Sequence, residues 1–180
     1  KGLFKNETLR KALTYAIDRD LLVDTYYRSF AHSASLPASP LSPYYSNQLA
    51  AKYAYDPEKF QAALAETGNV GSTVRILVNE GDTLRLRVAR EIGKILESYG
   101  LVVEMVEYRD ENYFYMLGIG KYDIYVGKTR LSPNMDLSVF FASNGALRQG
   151  GMSDPVLYAM CQEALANKGN YYNLHQKVME

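Results

Sequence analysis

The chain has no tryptophan, one cysteine, two histidines and no net charge, and each shortage excludes a class of protein. Cys161 alone rules out an internal disulfide framework and any multi-cysteine metal site. Its apolar, helix-like surroundings mark it as a buried structural thiol rather than a nucleophile. Twenty basic residues cancel twenty acidic ones, so there is no electrostatic footprint for nucleic acid or for an anionic membrane surface. His32 and His175 lie far apart, without the Asp or Glu spacing of a metal site or triad, and read as surface or packing residues. No run of about 18 apolar residues occurs, the length a helix needs to cross a bilayer. Glycine-rich phosphate loops are missing too. In Gly118-Ile119-Gly120-Lys121 the spacing is too narrow, Tyr122 stands where a Ser or Thr belongs, and a helix rather than a strand precedes. No dinucleotide fingerprint follows a strand, and no cofactor is expected.

What is present is an apolar content of 47% over 180 residues, enough for one domain with a sizeable core or one lobe of something larger. The sixteen tyrosines are read as packing the edge of that core with their hydroxyls in water. The first residue is Lys1 rather than methionine, which fits a processed protein or an expressed fragment.

Residues 72–128 are the spine. Val74, Ile76 and Val78 alternate with Thr73, Arg75 and Leu77, the period of a strand with one buried face. Asp82 is placed to cap a helix carrying Leu84, Val88, Ile92, Ile95 and Tyr99, and Gly100 stands at its left-handed end. The run 101–106 is apolar at all but Glu104, which predicts a strand covered on both faces. Asp110 is expected to cap a second helix through Tyr113, Phe114 and Leu117, and residues 122–128 form a third strand. Strands joined through helices run parallel, so this is a doubly wound α/β unit whose ligands bind outside the carboxyl ends of the strands. Those ends are 79–82, 108–110 and 128–130.

Around the spine, Asn6 opens a helix with the stripe Leu9, Ala12, Leu13, Ala16 and Ile17; the same Asn6-Glu7-Thr8 matches a glycosylation sequon, but the cap is the reading adopted. Residues 18–26 suggest a second short helix. Residues 31–47, with Pro37, Pro40 and Pro43, read as an extended loop crossing one face, anchored by Tyr44 and Tyr45. Asp56-Pro57-Glu58 is a strong helix start. Leu137, Phe140 and Phe141 anchor a loop and short helix, and Gly150-Gly151 marks a hinge or tight turn. Ser153 or Asp154 then caps a helix with Val156, Leu157, Met160, Cys161 and Leu165 inside, and residues 171–180 form another.

Five segments in order resemble the carboxyl-terminal lobe of the family 5 extracellular solute-binding proteins of ABC transporters, the oligopeptide, dipeptide and nickel class. They are residues 9–20 (Leu-Arg-Lys-Ala-Leu-Thr-Tyr-Ala-Ile-Asp-Arg-Asp), 55–59 (Tyr-Asp-Pro-Glu-Lys), 81–104, 121–124 (Lys-Tyr-Asp-Ile) and 151–155 (Gly-Met-Ser-Asp-Pro). The resemblance implies a periplasmic-binding-protein type II-like lobe, a mixed, mostly parallel sheet flanked by helices. It also implies that residues 1–180 are a single α/β lobe of a longer two-lobe protein, with a first lobe before residue 1 and return segments after 180. The implied function is the substrate-binding component of an ABC importer, non-catalytic, holding a peptide or other small polar solute between lobes that close by a hinge and delivering it to a membrane permease. The implied setting is extracytoplasmic, periplasmic or on the cell surface, with membrane attachment only through a lipid anchor outside this chain.

In peptide-binding members a tryptophan and an amine-pairing aspartate follow the third strand. Here Thr129 stands near the tryptophan position and Leu131 or Ser132 near the aspartate, while Pro133 and Asn134 fall near the family's Pro-Asp. Both departures count against a free peptide amine as the ligand and leave the question open. Lys128 and Arg130 suit an anionic or acceptor-rich group, or are solvated strand-end charges; the sequence leaves both readings open. The ligand-facing candidates are Asn79, Glu80, Lys128, Thr129, Arg130 and Leu131, with Asn134 and Tyr45. Two rivals stand beside this reading. One is a small α/β enzyme acting on a polar metabolite, with Glu80, Asp82 or Asp123 as acid or base, which requires converging carboxylates with a raised pKa. The other is a protein-interaction module, which requires a flat exposed apolar patch.

Overall fold

Three parallel strands, β1 (Thr73–Asn79), β2 (Val102–Tyr108) and β3 (Ile124–Val126), lie in the order β2-β1-β3 in the computed structural model, which describes residues 2–145 and 153–180. The β1–β2 register runs from Thr73 opposite Val102 to Asn79 opposite Tyr108, and β3 pairs through Ile124 to Val126 opposite Ile76 to Val78. Helix α5 (Thr83–Ser98) makes the first crossover and α6 (Asp110–Ile119) the second. The chain forms two compact units, Lys1–Ser33 with Tyr53–Lys128, and Ala34–Lys52 with Thr129–Glu180.

The sheet is the centre of the first unit. Val74, Ile76 and Val78 join one cluster with Leu9, Ala12 and Ala16 of α1 (Glu7–Ala16), Phe60 and Leu64 of α4 (Pro57–Glu66), and Val88, Ile92 and Leu96 of α5. Leu77 joins a separate cluster with Tyr113 and Leu117 of α6 and with Tyr122. The strand covered on both faces is therefore β1. β2 was expected there from its apolar run, but it is an edge strand, and Val102 is 54% exposed. A continuous apolar run and an edge position are compatible because only one flank of β2 has a neighbour to pair with.

The helix ends follow side-chain chemistry. Asn6, Asp18, Asp56 and Asp82 accept a backbone N–H of Leu9, Leu21, Lys59 and Arg85 respectively, at 2.9–3.2 Å. Asp18 opens α2 (Arg19–Leu22), which continues as a π turn over Val23–Tyr27. α5 buries Val88, Ala89, Ile92, Gly93 and Leu96, so its inward stripe is rotated from the expected one and Leu84 and Ile95 move to its flank. Gly93 permits this: a Cβ there would lie 3.3 Å from Val103 Cγ1 and 3.5 Å from Met105 Sδ, so a bare backbone lets the helix settle on the sheet. Asp110 does not cap α6. β2 runs on to Tyr108, Arg109 takes the cap position without a side-chain bond, and Asp110 becomes the first helical residue at φ +40°.

The second unit joins the proline-rich segment to the carboxyl-terminal helices. Residues 31–46 are loop, as expected, and Tyr44 anchors it by packing edge-on to Tyr171 at 5.0 Å between ring centroids; α3 (Asn47–Ala51), capped by Ser46, follows directly. Gln176 Nε2 donates to the Tyr44 carbonyl at 2.6 Å. Leu137, just ahead of α7 (Ser138–Phe141), packs with Cys161 of α8 (Pro155–Ala166) and Val178 of α9 (Tyr171–Met179). Asp154 caps α8 by accepting from Val156 and Leu157, but Val156, expected inside, is 66% exposed; Cys161 and Ala164 are the buried positions. The hinge reading of Gly150-Gly151 lies outside the described residues.

Candidate functional site

At the carboxyl ends of β1 and β2 the chain turns twice within a few residues. The carboxamide of Asn79, a buried side chain, bends the first turn by accepting the Gly81 N–H at 2.8 Å. Glu80 N–H donates to the Tyr108 carbonyl at 3.0 Å, tying the end of β1 to the end of β2. The carboxamide oxygen of Asn79 is thus engaged locally, and Glu80 supplies a half-exposed carboxylate. Its Oε1 lies 3.1 Å from Arg109 Nε. Asp82 accepts Arg85 Nε at 2.9 Å besides capping α5, and Lys128 Nζ stands 3.6 Å from the same carboxylate. The backbone N–H of Arg85, its guanidinium and Lys128 hold the Asp82 carboxyl below the usual range, against the opposing effect of burial.

Of the candidates in the first unit, the fold brings Asn79, Glu80 and Lys128 to the strand ends, as the doubly wound topology requires. It adds two residues the ligand-facing set omitted, Asp82 and Arg109. Both signals were in the sequence, since each sits in a strand-end turn, but the cap role of Asp82 hid its second function as a counter-ion. Lys128 is three-quarters exposed and leans on Asp82, which is compatible with both readings of its charge.

Within the second unit, Thr129 and Arg130 are exposed, and Leu131 packs against Leu137, Cys161 and Val178, which makes it an anchor for the segment rather than a surface contact. Tyr45 is committed locally too: its hydroxyl accepts the Ser35 N–H at 3.1 Å. Asn134 is half-buried, its carbonyl accepts the Tyr171 hydroxyl at 2.8 Å, and its carboxamide has no hydrogen-bond partner among the described residues.

The acid–base alternative meets engaged carboxylates. Asp123 accepts the backbone N–H groups of Leu3 at 3.1 Å and Arg75 at 2.8 Å, Glu80 faces Arg109, and Asp82 is shifted in the direction opposite to that of a general acid. A cavity of about 410 Å³ in the first unit is lined by Arg75, Glu104, Val106, Lys121, Tyr122 and Asp123 among others, and by none of the ligand-facing candidates. Among the described residues no three His, Cys, Asp or Glu side chains group as a metal site, and no helix is long and apolar enough to cross a membrane.

Comparison with known proteins converges on one family. The model of "Bacterial extracellular solute-binding proteins, family 5 Middle" matches residues 1–149. Heme-binding protein A of Haemophilus influenzae is 37% identical over 68 residues, which is 38% of this chain and 12% of that protein. Among solved structures, HbpA2 from Haemophilus parasuis superposes with a TM-score of 0.84 at 20% identity, over 99% of this chain and 38% of that one. The oligopeptide-binding protein AppA from Bacillus subtilis, in complex with a nonapeptide, gives 0.82 at 21% identity, over 98% of this chain and 39% of that one. The chain thus spans well under half the length of these relatives, and the structural likenesses establish the periplasmic-binding-protein type II-like fold. With the family model covering residues 1–149, the chain belongs to family 5 of the bacterial extracellular solute-binding proteins.

Proposed function

We propose that this chain is one α/β lobe of a longer, two-lobe solute-binding protein of an ABC importer, and that it is non-catalytic. The family match over residues 1–149 carries the reading, together with a span of only 38% to 39% of the solved relatives. The solute is a peptide or another small polar molecule, held between this lobe and a first lobe and passed to a membrane permease. Strand-end polar groups support this: in the first unit Glu80, Arg109 and Lys128 offer charges of both signs, and in the second Thr129 and Arg130 are exposed. The protein works outside the cytoplasm, and a lipid anchor beyond this chain would keep it at the membrane.

Thr129, and Leu131 or Ser132, stand near the positions where peptide-binding members carry a tryptophan and an aspartate, which counts against a free terminal amine as the recognised group. Arg130 suits a carboxylate or another acceptor-rich end of the solute. The test compares the isolated chain with the full-length protein, using equilibrium dialysis against a pool of unmodified pentapeptides read by mass spectrometry. Retention by the full-length protein and none by the chain alone is the expected result, since half the contacts are missing from one lobe. Micromolar retention by the chain alone would overturn the two-lobe reading, and no retention by either would overturn the peptide reading.

A further inference from the structure

Helix α9 grips a turn of its own unit through two successive carbonyl groups. The turn spans residues 132–135, with Pro133 at its second position, and closes when Met135 N–H donates to the Ser132 carbonyl at 2.8 Å. Ser132 Oγ accepts the Asp136 N–H at 3.1 Å, and the Asp136 carboxylate in turn accepts from Ser138 N–H and Oγ. Met135 sits at φ +54°, a left-handed conformation that its Cβ disfavours. Such a residue persists only where its surroundings over-determine it.

Those surroundings are Tyr171 and His175, one helical turn apart on α9. Tyr171 Oη donates to the Asn134 carbonyl at 2.8 Å, and His175 Nε2 donates to the Met135 carbonyl at 2.7 Å. A carbonyl has no proton to give, so Nε2 carries it. The two rings stack at 5.4 Å between centroids, and both side chains are buried. His175 Nδ1 is buried with no hydrogen-bond partner among the described residues. An aliphatic side chain would fill the same space without stranding a polar nitrogen. What it could not supply is the donor to Met135.

We propose that Tyr171 and His175 are positioning residues, which hold the turn 132–135 in its left-handed form and so present the unpaired Asn134 carboxamide as a preorganised donor and acceptor for the solute. Preorganisation lowers the ordering cost that a mobile loop would add to binding. The presenting role rests on the reading of Asn134 as solute-facing; the clamp itself does not.

Amide hydrogen exchange, read residue by residue by NMR, decides the clamp without any ligand. In Tyr171→Phe and in His175→Leu, protection at the Met135 and Asp136 amides falls by about tenfold or more, while the α8 amides keep theirs. His175→Gln, whose side-chain N–H can reach the same carbonyl, restores it. Unchanged protection in Tyr171→Phe and His175→Leu overturns the clamp, as does an equal loss in His175→Gln or a loss spread over the whole unit. Should His175→Leu fail to fold, Tyr171→Phe, which removes one oxygen from the ring, decides alone. A second arm measures Asn134→Ala in the full-length protein against the pentapeptide pool. About fivefold weaker retention supports the presenting role. Unchanged retention, with exchange at wild-type values, overturns the role assigned to Asn134 and leaves the clamp as a structural feature only.

Discussion

Arg75 and Asp123 clasp each other through the backbone. Asp123 Oδ2 accepts the Arg75 N–H at 2.8 Å while the Arg75 carbonyl accepts the Asp123 N–H at 3.0 Å, and Asp123 Oδ1 also accepts the Leu3 N–H. A strand of three residues has few ladder bonds to fix its register, and this clasp sets it one residue before β3 begins. Asp123→Ala removes the acceptor of two backbone donors, one exposed and one half-buried, and is expected to cost about 0.5–1.5 kcal/mol in urea unfolding, with Asp123→Asn losing about half as much. A cost under about 0.5 kcal/mol for the alanine variant would show that β3 holds its place without the clasp.

The strand order makes opposite forecasts for two apolar residues. Leu77 is fully buried on the central strand, and Leu77→Ala should cost about 2–5 kcal/mol through the cavity it opens. Val102, more than half exposed on the edge strand, should tolerate alanine at about 0.5 kcal/mol or less. Equal costs in equilibrium unfolding would contradict the order β2-β1-β3.

Asp82 links stability to acid. The Arg85 N–H, followed by its guanidinium, lowers the carboxyl pKa in the folded state relative to the ordinary value of 3.8. A lowered folded pKa means that the unfolded chain takes up the proton first, so the stabilisation is complete above the unfolded pKa and disappears as pH falls through the folded one. The gap in unfolding free energy between wild type and Asp82→Ala should be about 1 kcal/mol at neutral pH and should shrink below roughly pH 4. A gap that is flat from neutral pH down to pH 3 would contradict the lowered pKa of Asp82, and a gap near zero at neutral pH would remove Asp82 from the stability of α5.

Cys161 is buried and, chiefly for that reason, its thiol is pushed up to about 11, with Asp136 adding a smaller push. Thiolate is the reactive form, so at pH 8 the folded protein should react with a thiol reagent roughly 100-fold more slowly than the urea-unfolded chain. Matching rates in the two states would place the thiol at the surface.

Much of the first unit was legible in its amino acids. The caps at Asn6, Asp18, Asp56 and Asp82 are local, since an oxygen three residues ahead of an N–H is close in any helix that starts there. The strand ends followed from alternation and turn residues, and with them the placement of Asn79, Glu80 and Lys128. Other features were hidden because they depend on partners distant in sequence. The partner of Tyr44 stands at Tyr171, and nothing near residue 44 reports a residue so far along the chain. Leu131 looked like a strand-end contact until the cluster of Leu137, Cys161 and Val178 claimed it.

Periodicity, caps and turns therefore determined the elements and their parallel direction, because each is written in residues a few positions apart, while the family resemblance rested on five motif segments in order along the chain. Only the tertiary structure decided that β1 rather than β2 is covered on both faces, that residues 34–52 pack with the carboxyl-terminal helices, and that α9 supplies donors to Asn134 and Met135. The physical reason is that burial is a property of neighbours in space, and an apolar run such as 101–106 has the same pattern whether one flank or two will be paired.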